Sequence, residues 1–379
     1  MKIEQKRWTK TNGWEIHKQS KTLDRADFVL IFASREQLTH PSTFREIRAA
    51  YPHAVLLGCT TSGEIYMTQV TDNSIVLTAV QFDRTKLKTI SLPITDMSES
   101  FNVGKNLVDA LDKTGLKHIL VLSDGIHING SALVEGMRQQ LPDNITITGG
   151  LAGDGELFSK TYVLCNDGVK SDHVTIVGFY GESLEIGYSS LGGWDPFGPE
   201  RIVTKSKDNV LYELDGQSAL DLYKKYLGEH AQRLPSSGLL FPLTIKSSSE
   251  GKWVVRTLLS VDEQNGSMTF AGNIPQNSNV RLMKANLERL IEGANGAAQN
   301  IKNVQKTTPD LALLISCVGR KMILKQRVEE EVEAVQEIFG ASTFLTGFYS
   351  YGEISPFTPN AKCELHNQTM TITTFTETE

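Results

Sequence analysis

The chain has 379 residues, a formal net charge of −6, 22% charged residues and 40% hydrophobic residues. This acidic balance argues against a dedicated nucleic-acid binder, which presents a basic face. The length is sufficient for two domains with their own cores, and four scattered cysteines indicate reduced thiols rather than a disulfide framework. The sequence shows neither an apolar run of the roughly 20 residues that span a bilayer nor a signal peptide. We therefore expect a soluble, cytoplasmic protein.

In chain order, residues 1–24 are predicted to be a polar lead-in that packs loosely against the first domain. The first folded unit begins with a continuous apolar run at 28–32, which is typical of a strand covered on both faces. Apolar residues at helical spacing predict a helix over 43–51, and Pro52 ends it. A second apolar run at 54–57 returns to the sheet and leads into a glycine-rich turn.

The rest of the first domain repeats this pattern once. Residues 74–82 and 86–92 predict two strands, the second with the alternation of a half-exposed strand, and 101–111 predict an amphipathic helix. The second unit then supplies a strand, a helix, a strand and another glycine turn, at 118–122, 132–141, 145–148 and 149–154. Gly228 ends a later helix in the favoured position, and we place the domain boundary there.

The second domain opens with several short strands between 239 and 283 and continues with a long amphipathic helix over 287–302. A third unit supplies two strands, a glycine turn and a closing strand, at 311–315, 343–346, 347–354 and 369–374. The sequence therefore predicts an α/β fold with mixed sheets, built from repeated strand–helix–strand–glycine-turn units in two related halves. The predicted domains are 25–228 and 229–379.

The three glycine turns each contain a glycine followed by an acid. They read GCTTSGEI at 58–65, GGLAGD at 149–154 and GFYSYGEI at 347–354. Glycine lets backbone amides approach a neighbour closely, and in α/β sheets ligands bind beyond the carboxyl ends of the strands. Any one turn is more simply explained as a tight turn whose acid caps local backbone groups. Three matching turns favour the hypothesis that they meet around one ligand.

These motifs resemble the FIST domains, a sensory module of bacterial signal transduction, from about residue 28 to about residue 370. Residues 25–228 resemble the FIST N-terminal domain, and 229–379 resemble the FIST C-terminal domain. Besides the three turns, the segments that carry the resemblance are 123–125, 193–196, 214–220, 317–320 and 366–369. The family implies that the chain binds a small ligand and reports its occupancy to a separate signalling partner.

One subgroup of the family resembles this chain as free-standing proteins that bind haem and sense nitric oxide. The resemblance to that subgroup implies haem b as the cofactor and a histidine kinase or a cyclic-di-GMP enzyme as the partner. We prefer it because the sequence shows no kinase, cyclase or transmembrane part of its own. The alternative within the family is a module that senses an amino acid or a similar metabolite. Whether the chain forms a homo-oligomer is left open.

The residues that we assign to the ligand belong to the three turns and to the loop behind the first strand of the second unit. They are Gly63, Glu64, Asp124, Gly153, Asp154, Tyr349, Gly352 and Glu353. The chain also has the residues for a polar-rimmed aromatic pocket of the kind that binds small molecules: Trp194, Arg256, Tyr349, Tyr351 and Glu353. Core and turn packing is the simpler explanation of both sets.

The resemblance, together with elimination among eight histidines, leaves His366 and His127 as candidate haem iron ligands. An iron ligand presents a neutral imidazole to a largely apolar slot, with its other nitrogen held by a carbonyl or a carboxylate. His366 stands beside apolar Leu365 and hydrogen-bonding Asn367, and we rank it slightly first. His127 has Asp124 nearby as an orienting group.

A cysteine-dependent enzyme is the third hypothesis. Cys59 directly follows a strand in a glycine-rich turn, where a nucleophile could stand, although a free cysteine more often packs as a small hydrophobic side chain. The glycines of 149–155 lack the spacing of a dinucleotide fingerprint and precede a strand. Cys363 and His366, three apart on a strand, point to opposite faces, which disfavours a shared metal. We therefore expect no enzyme and assign no catalytic residue.

Overall fold

Three mixed β-sheets form the body of the molecule, and an antiparallel region that we call the small domain (residues 195–284) is inserted in the chain between two strands of the third sheet. The computed structural model describes residues 1–20, 22–139, 141–246, 253–305, 307–357 and 361–378, with only the backbone described for 17–19. None of the described helices is long and apolar enough to cross a bilayer.

Strands dominate the chain before the small domain. The strands are β1 (Lys2–Thr9), β2 (Gly13–Gln19), β3 (Phe28–Ala33), β4 (Val55–Thr60), β5 (Glu64–Tyr66), β6 (Gln69–Thr71), β7 (Ile75–Gln81), β8 (Lys86–Pro93), β9 (Leu116–Ser123), β10 (Thr146–Leu151), β11 (Val163–Cys165), β12 (Gly168–Lys170), β13 (His173–Tyr180) and β14 (Leu184–Leu191). The helices are α1 (Arg35–Leu38), α2 (Thr43–Ala50), α3 (Ser100–Asp109) and α4 (Gly130–Gln139), with a 3-10 turn at Met97–Glu99.

The small domain is antiparallel throughout its described strands. These are β15 (Asp195–Pro196), β16 (Arg201–Lys207), β17 (Val210–Leu214), β18 (Gln217–Ser218), β19 (Leu243–Lys246), β20 (Trp253–Arg256), β21 (Leu258–Asp262), β22 (Ser267–Phe270) and β23 (Asn279–Lys284). One helix, α5 (Ala219–Leu227), and two 3-10 helices, Gly228–Arg233 and Ser236–Leu240, lie among them.

The remaining chain returns to the body of the molecule. Its helices are α6 (Leu287–Val304), α7 (Val318–Leu324) and α8 (Val328–Phe339), with a 3-10 turn at Lys325–Arg327. Its strands are β24 (Leu311–Cys317), β25 (Phe344–Ser350), β26 (Gly352–Pro356), β27 (Cys363–His366) and β28 (Met370–Glu377). The predicted α/β class with mixed sheets is confirmed.

One three-stranded unit occurs three times, as the sequence repeats predict. Two parallel strands are joined through helices, and an antiparallel strand lies beside the first of them. The units are β3, β4 and β7; β9, β10 and β13; and β24, β25 and β28. An equivalent glycine stands in the second strand of each unit, with Gly58 opposite Ile31, Gly149 opposite Val121 and Gly347 opposite Leu314.

Each unit completes its sheet with a hairpin that comes from another unit. The hairpin β11–β12, which follows the second unit's turn, pairs with β4 of the first unit. The hairpin β5–β6 of the first unit pairs with β25 of the third, and β26–β27 of the third pairs with β10 of the second. The exchange is therefore cyclic, and it closes the three sheets around one another.

The inner faces of the three sheets share one hydrophobic core. Aromatic rings from different units meet there: Phe32 stacks on Phe348 with centroids 4.8 Å apart, and Phe179 lies 5.3 Å from Phe375. The outer faces are covered by helices, with α2 on the first sheet, α3 and α4 on the second, and α6 and α8 on the third. The centre of the molecule is consequently packed with side chains.

The predicted loose lead-in at 1–24 is wrong, because its residues form the hairpin β1–β2. Strand β1 pairs with β7 from Lys2 to Trp8 and so extends the first sheet. Gln5, at an inward position, is fully buried and donates its amide N–H to the carbonyl of Leu345 at 2.8 Å. Polar residues at inward positions mask the alternation by which a strand is recognised.

The close packing of the second strand in each unit predicts that Gly149→Ala is destabilising. An alanine Cβ would lie 1.8 Å from the Val121 carbonyl oxygen, at a φ of 153°. We expect the free energy of unfolding to fall by about 2–3 kcal/mol, as for other overpacked sites. Urea denaturation followed by circular dichroism measures the loss.

Gly155→Ala is the matched control, since its φ is 76° and no atom lies within 4 Å of the position that an alanine methyl group would take. Backbone strain alone predicts a loss of about 1 kcal/mol there. Equal losses in the two variants would contradict the steric argument.

Candidate functional site

The three glycine turns meet at the carboxyl ends of the parallel strands, where backbone hydrogen bonds join them in a ring. At equivalent positions, each turn donates one N–H to a carbonyl of another turn. The three bonds run from Ser62 to Tyr349 (2.8 Å), from Gly153 to Thr60 (2.9 Å) and from Tyr351 to Leu151 (3.3 Å). The turns therefore converge, but they converge on one another's backbone.

Glu64 lies in the interior, with 1% of its surface exposed. Its carboxylate accepts hydrogen bonds from the Thr61 hydroxyl at 2.5 Å and from the Ser74 N–H and hydroxyl at 3.1 and 2.7 Å. Burial raises the pKa of Glu64 to about 7, although these hydrogen bonds oppose the shift. Gly63 directly before it has a φ of 140° and lies under the Lys321 side chain.

Glu353 has the same surroundings in the third unit. Its carboxylate accepts from the Ser350 hydroxyl at 2.7 Å and from the Thr369 N–H and hydroxyl at 3.1 and 2.9 Å. It is fully buried, and burial raises its pKa to about 8. Gly352 before it is also buried. Both glutamates are thus bonded within their own units, and their assignment to a ligand stays a prediction.

The acid of the second unit departs from this pattern. Counted from the equivalent glycines, Asp154 comes one residue earlier than the glutamates. It accepts from the Tyr351 hydroxyl, from Ser159 and Lys160 N–H groups at 3.2 and 3.0 Å, and from the Arg35 guanidinium at 2.9 Å. Asp154 therefore closes the solvent side of the ring, next to Gly153.

Asp124 and His127 lie in the loop behind β9. Asp124 accepts from the N–H groups of Ile126 and His127 at 2.8 and 2.6 Å and from the Thr161 hydroxyl at 2.7 Å. His127 bonds through Nδ1 to Asp172 at 2.8 Å, and 55% of its side chain is exposed. The ligand atoms of Asp124, His127 and Asp172 lie within 4.8 Å of one another. The Asp124 oxygens already accept hydrogen bonds from the chain. This group therefore holds the loop in place.

His366 is fully buried on β27. Its Nε2 donates to the Ser355 carbonyl at 2.7 Å, and its ring lies 4.1 Å from that of Phe357. Burial lowers the pKa of His366 to about 4, so the imidazole is neutral at pH 7. Its Nδ1 has no partner among the residues that the structure describes.

Haem iron does not fit either histidine in this arrangement. The His366 side chain has no exposed surface to present, and Phe357 covers the ring. His127 stands half-exposed between two aspartates rather than in an apolar slot. An iron ligand needs open apolar space on one side of the imidazole.

The remaining residues predicted from the sequence make contacts within the protein that stabilise the fold. The Cys59 thiol is fully buried in the central core, which raises its pKa well above its ordinary value and removes the thiolate that a nucleophile needs. The Tyr349 hydroxyl donates to Glu331 at 2.7 Å in the interior. The Trp194 indole N–H donates to the Gln368 carbonyl at 2.9 Å. Of the predicted aromatic pocket, Arg256 lines an open site.

That site is a cleft of about 1080 Å³ between the body of the molecule and the small domain, which we call the interdomain cleft. Helix α4 and strands β10 and β27 form one side, and β19 and β20 form the other. Its lining mixes apolar side chains with charged ones. Apolar Val134 and Leu365 line it together with basic Arg138, Lys246 and Arg256 and acidic Glu135, Asp143 and Glu364.

Arg256 is the buried cation of the interdomain cleft, with 7% of its surface exposed. It donates to three backbone carbonyls, those of Leu365 at 3.0 Å, Val255 at 3.1 Å and Asn273 at 3.3 Å. Burial lowers its pKa to about 10, so it stays protonated at neutral pH; the field of Glu364 opposes the shift. No described carboxylate hydrogen bonds to it, and its Nη2 bonds to no described residue.

Further polar atoms without partners lie beside Arg256. Within the described part of the chain, Thr257 Oγ1, His366 Nδ1 and Asn367 Nδ2 are buried and unbonded. Buried polar groups are normally hydrogen bonded, and a cluster of exceptions indicates a water or a ligand that completes them. The signal in the sequence was the charge of Arg256 within the apolar segment 254–258, which a buried strand does not carry without a reason.

The two buried glutamates predict a stability that falls as pH rises. The folded protein keeps a proton on Glu353 up to pH of about 8, whereas the unfolded chain releases it near its ordinary value of 4.5. Each proton that only the folded state retains lowers the free energy of unfolding by up to about 1.4 kcal/mol per pH unit as the pH rises through that window. Glu353→Gln keeps the size and carries no proton, so we expect a flatter profile between pH 7 and 8 in urea titrations.

Glu337→Gln, at an exposed position of α8, is the control and should leave the pH profile unchanged. A wild-type protein whose stability rises from pH 6 to pH 8 would contradict the assignment of a protonated Glu353.

Comparison with known families supports the sequence resemblance. The FIST N domain matches residues 27–217, and the FIST C domain matches 219–356. An uncharacterised protein of Methanocaldococcus jannaschii is 24% identical over 359 residues, which cover 86% of this chain and 67% of that protein.

A crystal structure of cyanuric acid hydrolase from A. caulinodans covers 93% of this chain and 90% of its own at 7% identity. Its TM-score of 0.33 is too low to carry an argument. FIST domains act as sensory modules that bind small ligands, and not as catalysts. With both domains matched in order along most of its length, this chain belongs to the FIST family.

Proposed function

We propose that this protein senses a small anionic metabolite that binds in the interdomain cleft. The observation that carries the proposal is Arg256, a buried protonated guanidinium without a hydrogen-bonded carboxylate among the described residues. A buried charge is costly unless it is paired, and backbone carbonyls pair it only in part. A carboxylate of the ligand would complete the pair, in the bidentate geometry that a guanidinium favours.

The surroundings of Arg256 support a ligand with polar and apolar parts. The lining carries acidic side chains, Glu135 and Asp143 among them, that can accept hydrogen bonds from a ligand. Apolar side chains from α4 and β27, among them Val134 and Leu365, line the same cleft. An amino acid or a similar organic acid offers all three kinds of contact. Its carboxylate would bind Arg256, its amino group a carboxylate of the lining such as Glu135, and its side chain the apolar wall.

The position of the cleft supports a sensing role. Its two sides belong to the body of the molecule and to the small domain, which joins the body through 191–195 and 284–287. A ligand that contacts both sides favours the arrangement in which they are close. Occupancy would then be reported as a change in the position of the small domain. A separate partner protein would detect that change. The resemblance implies that this partner is a histidine kinase or a cyclic-di-GMP enzyme.

The ligand is tested by thermal shift with a panel of amino acids and small carboxylic acids at pH 7. We expect at least one to raise the melting temperature, because ligand binding to the folded state stabilises it by mass action. Arg256→Gln should weaken that ligand at least tenfold in calorimetric titration, as expected for loss of a charged hydrogen-bonded contact.

Arg281→Gln is the matched control, since Arg281 pairs with Glu200 and does not line the cleft. The proposal fails if no acid in the panel shifts the melting temperature, or if Arg256→Gln and Arg281→Gln bind the ligand with equal affinity.

Haem is tested separately by adding hemin to the purified protein and recording the absorption spectrum. Because neither candidate histidine presents its ring to an open apolar slot, we expect the spectrum to stay that of unbound hemin. His127→Ala and His366→Ala should give the same spectrum as the wild type. A sharp Soret band that one of these variants abolishes would restore haem as the ligand and the nitric-oxide hypothesis with it.

A further inference from the structure

A second depression lies where the small domain joins the body of the molecule, and we call it the hinge groove. Three chain segments form it, namely 233–240 from the small domain, 285–287 at the start of α6, and 322–325 at the end of α7. Its volume is about 490 Å³. It is separate from the interdomain cleft and shares no residue with it.

The floor of the hinge groove is apolar and its rim is basic. The apolar side chains are Leu239, Leu240, Leu287, Met322 and Ile323. Leu287 is 36% exposed, which is high for a leucine beside other apolar side chains. Arg233 and Lys325 are the charged residues of the lining, and both are exposed.

No acid belongs to that lining, and neither cation forms an ion pair among the described residues. The nearest acid in sequence, Glu288, is bonded to Arg327 at 2.8 Å. The rim therefore presents uncompensated positive charge on a chain whose net charge is −6. Charge complementarity therefore favours a binding partner whose surface carries carboxylates.

The hinge groove lacks polar groups that would orient a small molecule. The Ser236 hydroxyl donates to the Arg233 carbonyl at 2.6 Å, and the Ser237 hydroxyl donates to the His230 carbonyl at 2.7 Å. Small-molecule sites place a few convergent polar groups inside an apolar pocket. Here both hydroxyls of the lining are used locally, and the charges stand only at the rim. This arrangement suits the apolar stripe of a polypeptide.

We propose that the hinge groove docks an acidic amphipathic helix of a partner protein. Apolar side chains at i, i+3 or i+4, and i+7 of such a helix would bind over Leu240, Leu287 and Met322. Glutamates or aspartates beside that stripe would pair with Arg233 and Lys325. The docked helix would contact both the small domain and the body of the molecule, and so would report their relative position. The proposal itself needs no ligand in the interdomain cleft.

The test uses the full chain without ligand and three labelled synthetic helices in fluorescence anisotropy. One has a leucine stripe flanked by glutamates, the second has lysines in place of the glutamates, and the third has the composition of the first with its leucines dispersed. We expect the acidic helix to bind at least tenfold more tightly than either of the others. The preference over the lysine helix should shrink as the salt concentration rises.

Variants locate the binding. Arg233→Glu combined with Lys325→Glu should invert the preference, so that the lysine helix binds more tightly than the acidic one. Leu287→Glu should abolish binding of the acidic helix. The controls are Lys86→Glu and Ile202→Glu, which change an exposed cation and an exposed apolar residue away from the groove.

All altered side chains have exposed surface, so we expect the melting temperatures to stay close to that of the wild type. The proposal is overturned if the three helices bind equally, or if the charge-inverted variant keeps the wild-type preference. It is also overturned if the control variants weaken binding as much as Leu287→Glu. Failure of the small-molecule panel in the preceding section would leave these outcomes unaffected.

Discussion

The fold depends on a cyclic exchange in which no sheet is complete without a hairpin from another unit. The ring of backbone bonds among the three turns is its centre, since each turn donates to the next at 2.8 to 3.3 Å. These pairings join residues far apart in sequence, so the three units gain their stability together. The same closure directs the turns at one another, while Glu64 and Glu353 are bonded inside their own units.

A buried charge network anchors the small domain to this body. Arg320 is fully buried and bonds to Glu331 through two nitrogens, at 2.9 and 2.7 Å. It also donates to the carbonyl of Gly192, where the chain enters the small domain, and to that of Leu290 in α6, after the chain returns. Loss of one partner from such a pair typically costs about 3–5 kcal/mol. Both connections of the small domain are thus hydrogen bonded to one buried side chain of α7.

The inserted small domain creates both of the sites that we propose. The interdomain cleft lies between this domain and the body, and the hinge groove lies where the chain returns from it to α6, so a shift of the domain would alter both. Coupling between two sites needs such a shared element, whose equilibrium each of them biases. A metabolite bound at Arg256 and a helix bound at Leu287 would be linked in this way. The central core, packed with the rings of Phe32 and Phe348, offers no comparable freedom.

The sequence alone determined the repeating unit, because apolar runs and the glycines after them are local features. It also carried the family resemblance, and with it the expectation of a small ligand. It misjudged residues 1–24, because Gln5 occupies an inward position whose partner, the Leu345 carbonyl, lies 340 residues away. Only the tertiary structure decided that the three units exchange hairpins, that Cys59 and His366 are enclosed, and that Arg256 faces a cleft. The Arg256 contact with Leu365 spans 109 residues, and no local pattern encodes a pairing of that length.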